Sequence, residues 1–159
     1  NIVILIVTLT KLFHLQQKKR RIMKKIMVSG GFDPIHVGHV RMILEAAKYG
    51  DVIVVANSDD WLMRKKGYVF MPWEERAEII ESIRGVARVE HVDDSDNTVC
   101  EAIERIRPDA FANGGDRNGV ATVPEVALCD KLGIELMWNV GGGKVQSSSD
   151  LVKKSKEKR

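Results

Sequence analysis

Five short apolar runs recur along the 159 residues, and each is followed by a stretch with helical periodicity or a helix-start signal. They lie at 26–28, 51–56, 86–92, 110–112 and 134–140. The second, Asp51-Val-Ile-Val-Val-Ala56, has no polar alternation after its first residue, so it reads as a strand buried on both faces. Strands that return through helices run parallel, with right-handed crossovers. The pattern therefore predicts an α/β fold: a five-stranded parallel sheet with helices on both faces.

Local signals set the expected helices. Val37, Val40, Ile43, Leu44 and Ala47 share one face of the first, and Gly50 closes it. Ser58 caps a short helix over 59–65. Pro72 opens the next, with Glu74 and Glu75 in its first turn and Trp73, Ala77, Ile80 and Ile83 on its inner face. Thr98 with Glu101, and Thr122 with Glu125, have capping-box spacing. Pro108 and Gly133 end the helices those boxes open, and the run 147–149 opens the last helix.

In such sheets ligands bind beyond the carboxyl ends of the strands. Three unusual loops fall there: 29–39, 113–117 and 141–149. The first holds Gly30-Gly31-Phe32-Asp33-Pro34-Ile35-His36-Val37-Gly38-His39. Its glycines allow a sharp turn and close approach of a ligand to the backbone. His36 and His39 are three apart, on one side of a first helical turn, and Gly38 leaves room for a bulky anion. Backbone amides and the helix dipole favour phosphate at such a place. Each feature alone has a plainer reading. The histidines read as caps, core residues or a metal half-site needing a third ligand. The glycines read as a turn, Ser147–Ser149 as an N-cap, and Arg64-Lys65-Lys66 as a solvated run. It is their convergence on one sheet edge that points to phosphoryl chemistry.

The stretch Gly30 to His39 has the pattern G-x-F-D-x-x-H-x-G-H and resembles the signature of cytidylyltransferase-like nucleotidyltransferases. That family includes glycerol-3-phosphate cytidylyltransferase and the adenylyltransferase that makes ADP-heptose. The resemblance extends over roughly 24–154. It implies a Rossmann-like nucleotidylyltransferase fold and an enzyme that joins a nucleoside monophosphate, from CTP or ATP, to a phosphorylated small molecule with release of pyrophosphate. His36, His39 and Lys66 are the implied catalytic residues. Gly30, Gly31, Phe32, Asp33, Gly38, Arg76, Gly114, Asp116, Ser147, Ser148 and Ser149 are the implied nucleotide-binding set. Mg²⁺ is expected to bridge the phosphates, with no all-protein metal site. CTP with an alcohol phosphate stands first, and ATP with a sugar phosphate follows. A non-catalytic nucleotide-binding module of the same fold is the competing class. The sequence departs from the family where Gly142 takes the place of an Arg; Lys144 is expected to replace that charge. Gln146, Val152 and Asn113 also differ from family patterns.

Charge does not suggest a nucleic-acid partner. The net +3 comes from the ends: residues 11–25 carry seven Lys or Arg and no acid, and 153–159 carry five. Between them, 26–152 hold 13 basic and 21 acidic residues. Cys100 and Cys129 form no framework and read as reduced thiols of a cytoplasmic protein. The apolar stretch 1–9 is too short to span a bilayer, and its charge follows rather than precedes it. Met23 reads as a start, with 1–22 an extension, 23–154 one domain and 155–159 a basic tail. No membrane contact is expected, and a homodimer is compatible with the family resemblance.

Overall fold

The computed structural model describes residues 23–115 and 124–157. The chain runs β1 Lys25–Gly30, α1 Val37–Ala46, β2 Asp51–Ala56, α2 Asp59–Lys66, α3 Trp73–Glu81, β3 Val86–Glu90, α4 Cys100–Ile106, β4 Ala110–Ala112, α5 Pro124–Leu132, β5 Glu135–Met137 and α6 Ser148–Glu157. The five strands form one sheet in the order β3-β2-β1-β4-β5, every pairing parallel. β1 is central: Met27 pairs with Ile53 on one side and Phe111 on the other. Strand order reverses between β1 and β4, which opens a crevice at their carboxyl ends.

The apolar runs are continuous because both faces of the sheet are covered. Ile26, Val28, Val52, Val54, Ala110 and Ala112 pack with Met42, Ile43 and Ala46 of α1 and Ile80 of α3. The alternate residues Met27, Ile53, Val55 and Phe111 pack with Ala102, Ile103 and Ile106 of α4 and Cys129 of α5. Adjacent residues of one strand thus enter opposite cores, as the pleat requires. Each fully buried Ile or Val contributes roughly 1.5–3 kcal/mol by leaving water.

Several expectations are corrected. The buried residues of α1 are Met42, Ile43 and Ala46, while Val37 is 50% exposed. The first turn of α1 lies at the crevice, beyond the sheet surface, so its apolar residue has no core to enter. Thr98 and Glu101 form no capping box: Thr98 bonds to Asp96, and Glu101 pairs with Arg105. Thr122 lies outside the described residues; Glu125 instead accepts the Val99 amide at 3.2 Å. β5 stops at Met137, short of Val140, because the chain turns through Asn139 and Gly141 at positive φ. α6 runs to Glu157. Cys100 and Cys129 are free thiols, and burial pushes the Cys129 thiol up to about 11. Residues 1–22 lie outside the described ones. Among the described residues no helix is long and apolar enough to cross a membrane.

Candidate active site

A cavity of about 310 Å³ occupies the crevice. All three loops singled out in the sequence line it: 29–38 through Ser29, Gly30, Gly31, His36 and Gly38, then Asn113 to Gly115, then Gly141 to Ser149. His39 and Met42 of α1 and Trp61 and Lys66 of α2 complete the wall, with Asn57 from the end of β2.

The histidines sit where α1 begins, and the backbone fixes their tautomers. His36 is the N-cap, and its Nδ1 accepts the Gly38 amide at 3.1 Å. His39 Nδ1 accepts the His36 amide at 3.2 Å, closing a reciprocal capping box. An acceptor Nδ1 places the single proton of a neutral imidazole on Nε2. The two rings stack 3.8 Å apart, and Phe32 meets His39 edge-on at 5.0 Å. Gly38 eases this packing, because a Cβ there would lie 3.0 Å from the His36 ring, tighter than ordinary contact. Gly141 is needed on the facing loop: its φ is +84°, and a Cβ would meet the Met42 backbone at 2.6 Å.

Both imidazoles are held neutral. Burial, then His36, then Lys66 bring His39 down to about 3. Burial, Lys66 and Lys144 lower His36 from its ordinary value. An unfolded imidazole takes its proton near pH 6.5. The unfolded chain therefore binds more protons below that point, and the contribution of His39 to stability is full above about pH 6.5 and declines as the pH falls toward 3. Urea midpoints measured from pH 7.5 down to 4.5 are expected to fall less steeply in His39→Gln than in the parent. Equal slopes would show that His39 is not the group being charged.

The loop at 141–149 supplies polar groups at the start of α6. Ser147 Oγ accepts the Asp150 amide at 3.4 Å, and Ser148 Oγ donates to the Pro34 carbonyl at 2.8 Å. The second bond fastens the α6 N-terminus to the histidine turn. Lys144 lines the cavity close enough to His36 to lower its basicity, so it supplies positive charge near the place where the family pattern has an Arg. Lys66 Nζ donates to the Asp33 carbonyl at 2.8 Å, and burial is the main influence lowering its pKa.

Not every residue expected at the site reaches it. Gly30, Gly31, His36, Gly38, His39, Lys66, Gly114 and Ser147–Ser149 line the cavity. Phe32, Asp33 and Arg76 do not. Phe32 is buried against Gly30 and His39. Asp33 is fully buried, and its carboxylate accepts the amides of Phe70 and Met71 at 2.8 and 2.7 Å, so it fastens the segment after Lys66. Arg76 is also fully buried and binds the carbonyls of Gly31, Asn57 and Met71 and the Asp59 carboxylate. Asp116 lies outside the described residues. Of the run 64–66 only Lys66 faces the cavity, since successive helical residues point about 100° apart. Arg64 is tied to Asp94, and Lys65 is exposed above the Trp61 ring. Asn57 and Trp61 are lining residues that the sequence reading missed. The signal was positional: Asn57 directly follows a buried strand at its carboxyl end, where ligands gather.

The family model described as Cytidylyltransferase-like matches residues 27–124. An FAD synthase from Ferroglobus placidus is 38% identical over 96 residues, covering 60% of this chain and 62% of that protein. A bifunctional protein HldE from Koribacter versatilis is 37% identical over 127 residues, covering 76% of this chain and 26% of that protein. The chain thus spans a little under two thirds of the first relative's length and about a quarter of the second's. Among solved structures, a lipopolysaccharide core biosynthesis protein from Thermoplasma volcanium superimposes with a TM-score of 0.58 at 26% identity, over 73% of this chain and 93% of that one.

Proposed function

This chain belongs to the cytidylyltransferase-like family, and on that premise we propose that it is a nucleotidyltransferase. It transfers a nucleoside monophosphate from a nucleoside triphosphate to a phosphorylated small molecule. The observation that carries this reading is the pair of neutral imidazoles, each with Nδ1 locked on the backbone, lining the crevice that Lys66 and Lys144 also line.

The chemistry needs no enzyme nucleophile. An oxygen of the acceptor phosphate, already anionic at neutral pH, attacks the α-phosphorus. The new P–O bond forms as the bond from the α-phosphorus to the bridging oxygen breaks, and pyrophosphate leaves. Catalysis is then positioning and stabilisation of charge on the non-reacting oxygens. The Nε2–H groups of His36 and His39 donate to the α-phosphate and the bridging oxygen. The α6 N-terminus with Ser147–Ser149, and Lys144, hold the two outer phosphates.

The described cavity wall offers amides, hydroxyls and imidazoles, with no Asp or Glu among its described residues. That donor set suits a divalent cation carried in by the triphosphate, held by phosphate oxygens as Mg²⁺ commonly is. Such an ion would offset phosphate charge during transfer.

Sequence alone ranked CTP before ATP. Likeness to an FAD synthase reverses the order, because the product in that name contains AMP joined through a pyrophosphate. A triphosphate substrate and two free thiols support a place in the cytoplasm.

Pyrophosphate release tests this directly, with ATP, CTP, UTP and GTP each paired with phosphorylated sugars, alcohols, FMN and NMN. Turnover is expected with ATP and at least one acceptor. Turnover with CTP alone restores the first order. Tight nucleotide binding without turnover for any pair overturns the enzyme in favour of a binding module.

A further inference from the structure

Resting on the transferase reading, we infer that the β2–α2 wall of the cavity is the acceptor half of the site, and that Trp61 selects an acceptor carrying a planar aromatic ring beside its phosphate. The argument starts from in-line displacement. Attacking and leaving oxygens lie on opposite sides of the α-phosphorus. The α6 N-terminus and Lys144 belong to the β5 side of the histidines, and they suit the leaving pyrophosphate. The attacking phosphate must then arrive from the other side. There the cavity is lined by Lys66, the one Lys or Arg besides Lys144 among its described lining residues.

What stands next to Lys66 decides the body of the acceptor. Trp61, five residues earlier on α2, is the one Trp, Tyr or Phe among the described residues lining the cavity. Its ring edge comes within 3.4 Å of where a Gly31 Cβ would sit, so the indole stands against the phosphate turn itself. Lys65 lies 5.8 Å from the ring centroid. Phe70 is held on the same side: its amide bonds the Asp33 carboxylate, while Lys66 bonds the Asp33 carbonyl. Phe70 itself is 56% exposed, so its ring lies open to solvent. On the β4–β5 side the wall is mostly glycine, serine and other polar residues, with Val140 and Val145. An aromatic surface that, among the described lining residues, stands on the acceptor side alone fits a flat ring stacked on indole, with its phosphate reaching Lys66. A bare polyol phosphate would leave that surface wet.

FMN and ribose 5-phosphate serve as probes, since both carry a phosphate and only FMN carries an aromatic system. Binding of each, and of ATP, is measured to the full chain and to Trp61→Ala and Trp61→Phe. FMN is expected to bind at least about tenfold tighter than ribose 5-phosphate, on the scale of a ring stacked on an aromatic side chain. Trp61→Ala is expected to lose about tenfold or more of FMN affinity with ATP affinity within about twofold of the parent, and Trp61→Phe to keep most of it. Equal affinity for the two probes, or unchanged FMN binding in Trp61→Ala, overturns the inference. AMP transfer to a non-aromatic acceptor with full activity in Trp61→Ala overturns it too, and leaves the transferase reading standing. Trp61-dependent FMN binding without AMP transfer to any acceptor overturns the transferase reading instead.

Discussion

The variant His39→Ala is expected to remain folded and to lose turnover by about two to three orders of magnitude, the effect of removing one donor to developing charge. His39 is neutral, its Nδ1 is occupied by the His36 amide, and its Nε2–H is the donor left for phosphate. Losing a donor that matters most when charge builds on the bridging oxygen lowers kcat and kcat/KM together. On the proposed mechanism the KM for nucleotide should change much less, because the α6 N-terminus, Lys144 and the glycine turn, which line the same cavity, would still bind the ground state. Structural loss comprises one half of the capping box, the stacking on His36 and the edge contact with Phe32, about 1 kcal/mol for the cap by comparison with others. Steady-state kinetics with a denaturation curve on the same preparation separates the two effects. Unchanged kcat in a folded variant would remove His39 from the chemistry.

The sheet was legible because its signals are local and redundant. A short β-branched run such as 51–56, bounded by Gly50 and Asn57-Ser58, reads as a strand buried on both faces, and capping residues such as Ser58 punctuate the helices between. The expected cap is formed, with Ser58 Oγ accepting the Trp61 amide at 3.0 Å. The convergence of three loops was legible for the same reason, since parallel strands carry their following loops to one edge. What could not be read was the partition between residues that touch a ligand and residues that hold those residues in place. Asp33 and Arg76 are charged and close in sequence to the site, so a charged ligand was the natural partner. Their actual partners are mostly backbone groups, up to 45 residues away in sequence, with Asp59 the one carboxylate bound to Arg76, and no spacing rule reveals them. Val37 shows the converse. Its helical phase is apolar, but periodicity does not say where along a helix the core ends.

Arg76→Ala is expected to destabilise the fold by about 3–5 kcal/mol, as breaking a buried charged network commonly does. The guanidinium is fully buried and joins four segments. It donates to the carbonyls of Met71 at 3.0 Å, Gly31 at 2.7 Å and Asn57 at 2.9 Å, and to Asp59 at 2.5 Å. Asp59 is the least costly partner to lose, because its side chain is 38% exposed and water can replace the arginine. The expense lies in the three carbonyls, each about 1–3 kcal/mol when buried without a donor, and in the void the side chain leaves. These terms overlap, so their sum is not the prediction. Asp59→Ala leaves the buried guanidinium without its counter-charge but with its three carbonyl bonds, so it should cost less than Arg76→Ala yet more than the roughly 1 kcal/mol of an exposed ion pair. Arg76→Lys keeps the charge but cannot reach all four acceptors with one ammonium, so it should fall between them. Gly31 belongs to the phosphate turn and Met71 to the segment that follows Lys66. A folded Arg76→Lys protein should therefore also turn over more slowly, although Arg76 does not line the cavity. Urea midpoints of the three variants, read beside their kcat, decide the matter. A loss below about 1 kcal/mol in Arg76→Ala would mean that the carbonyls find other donors and that the turn is braced elsewhere.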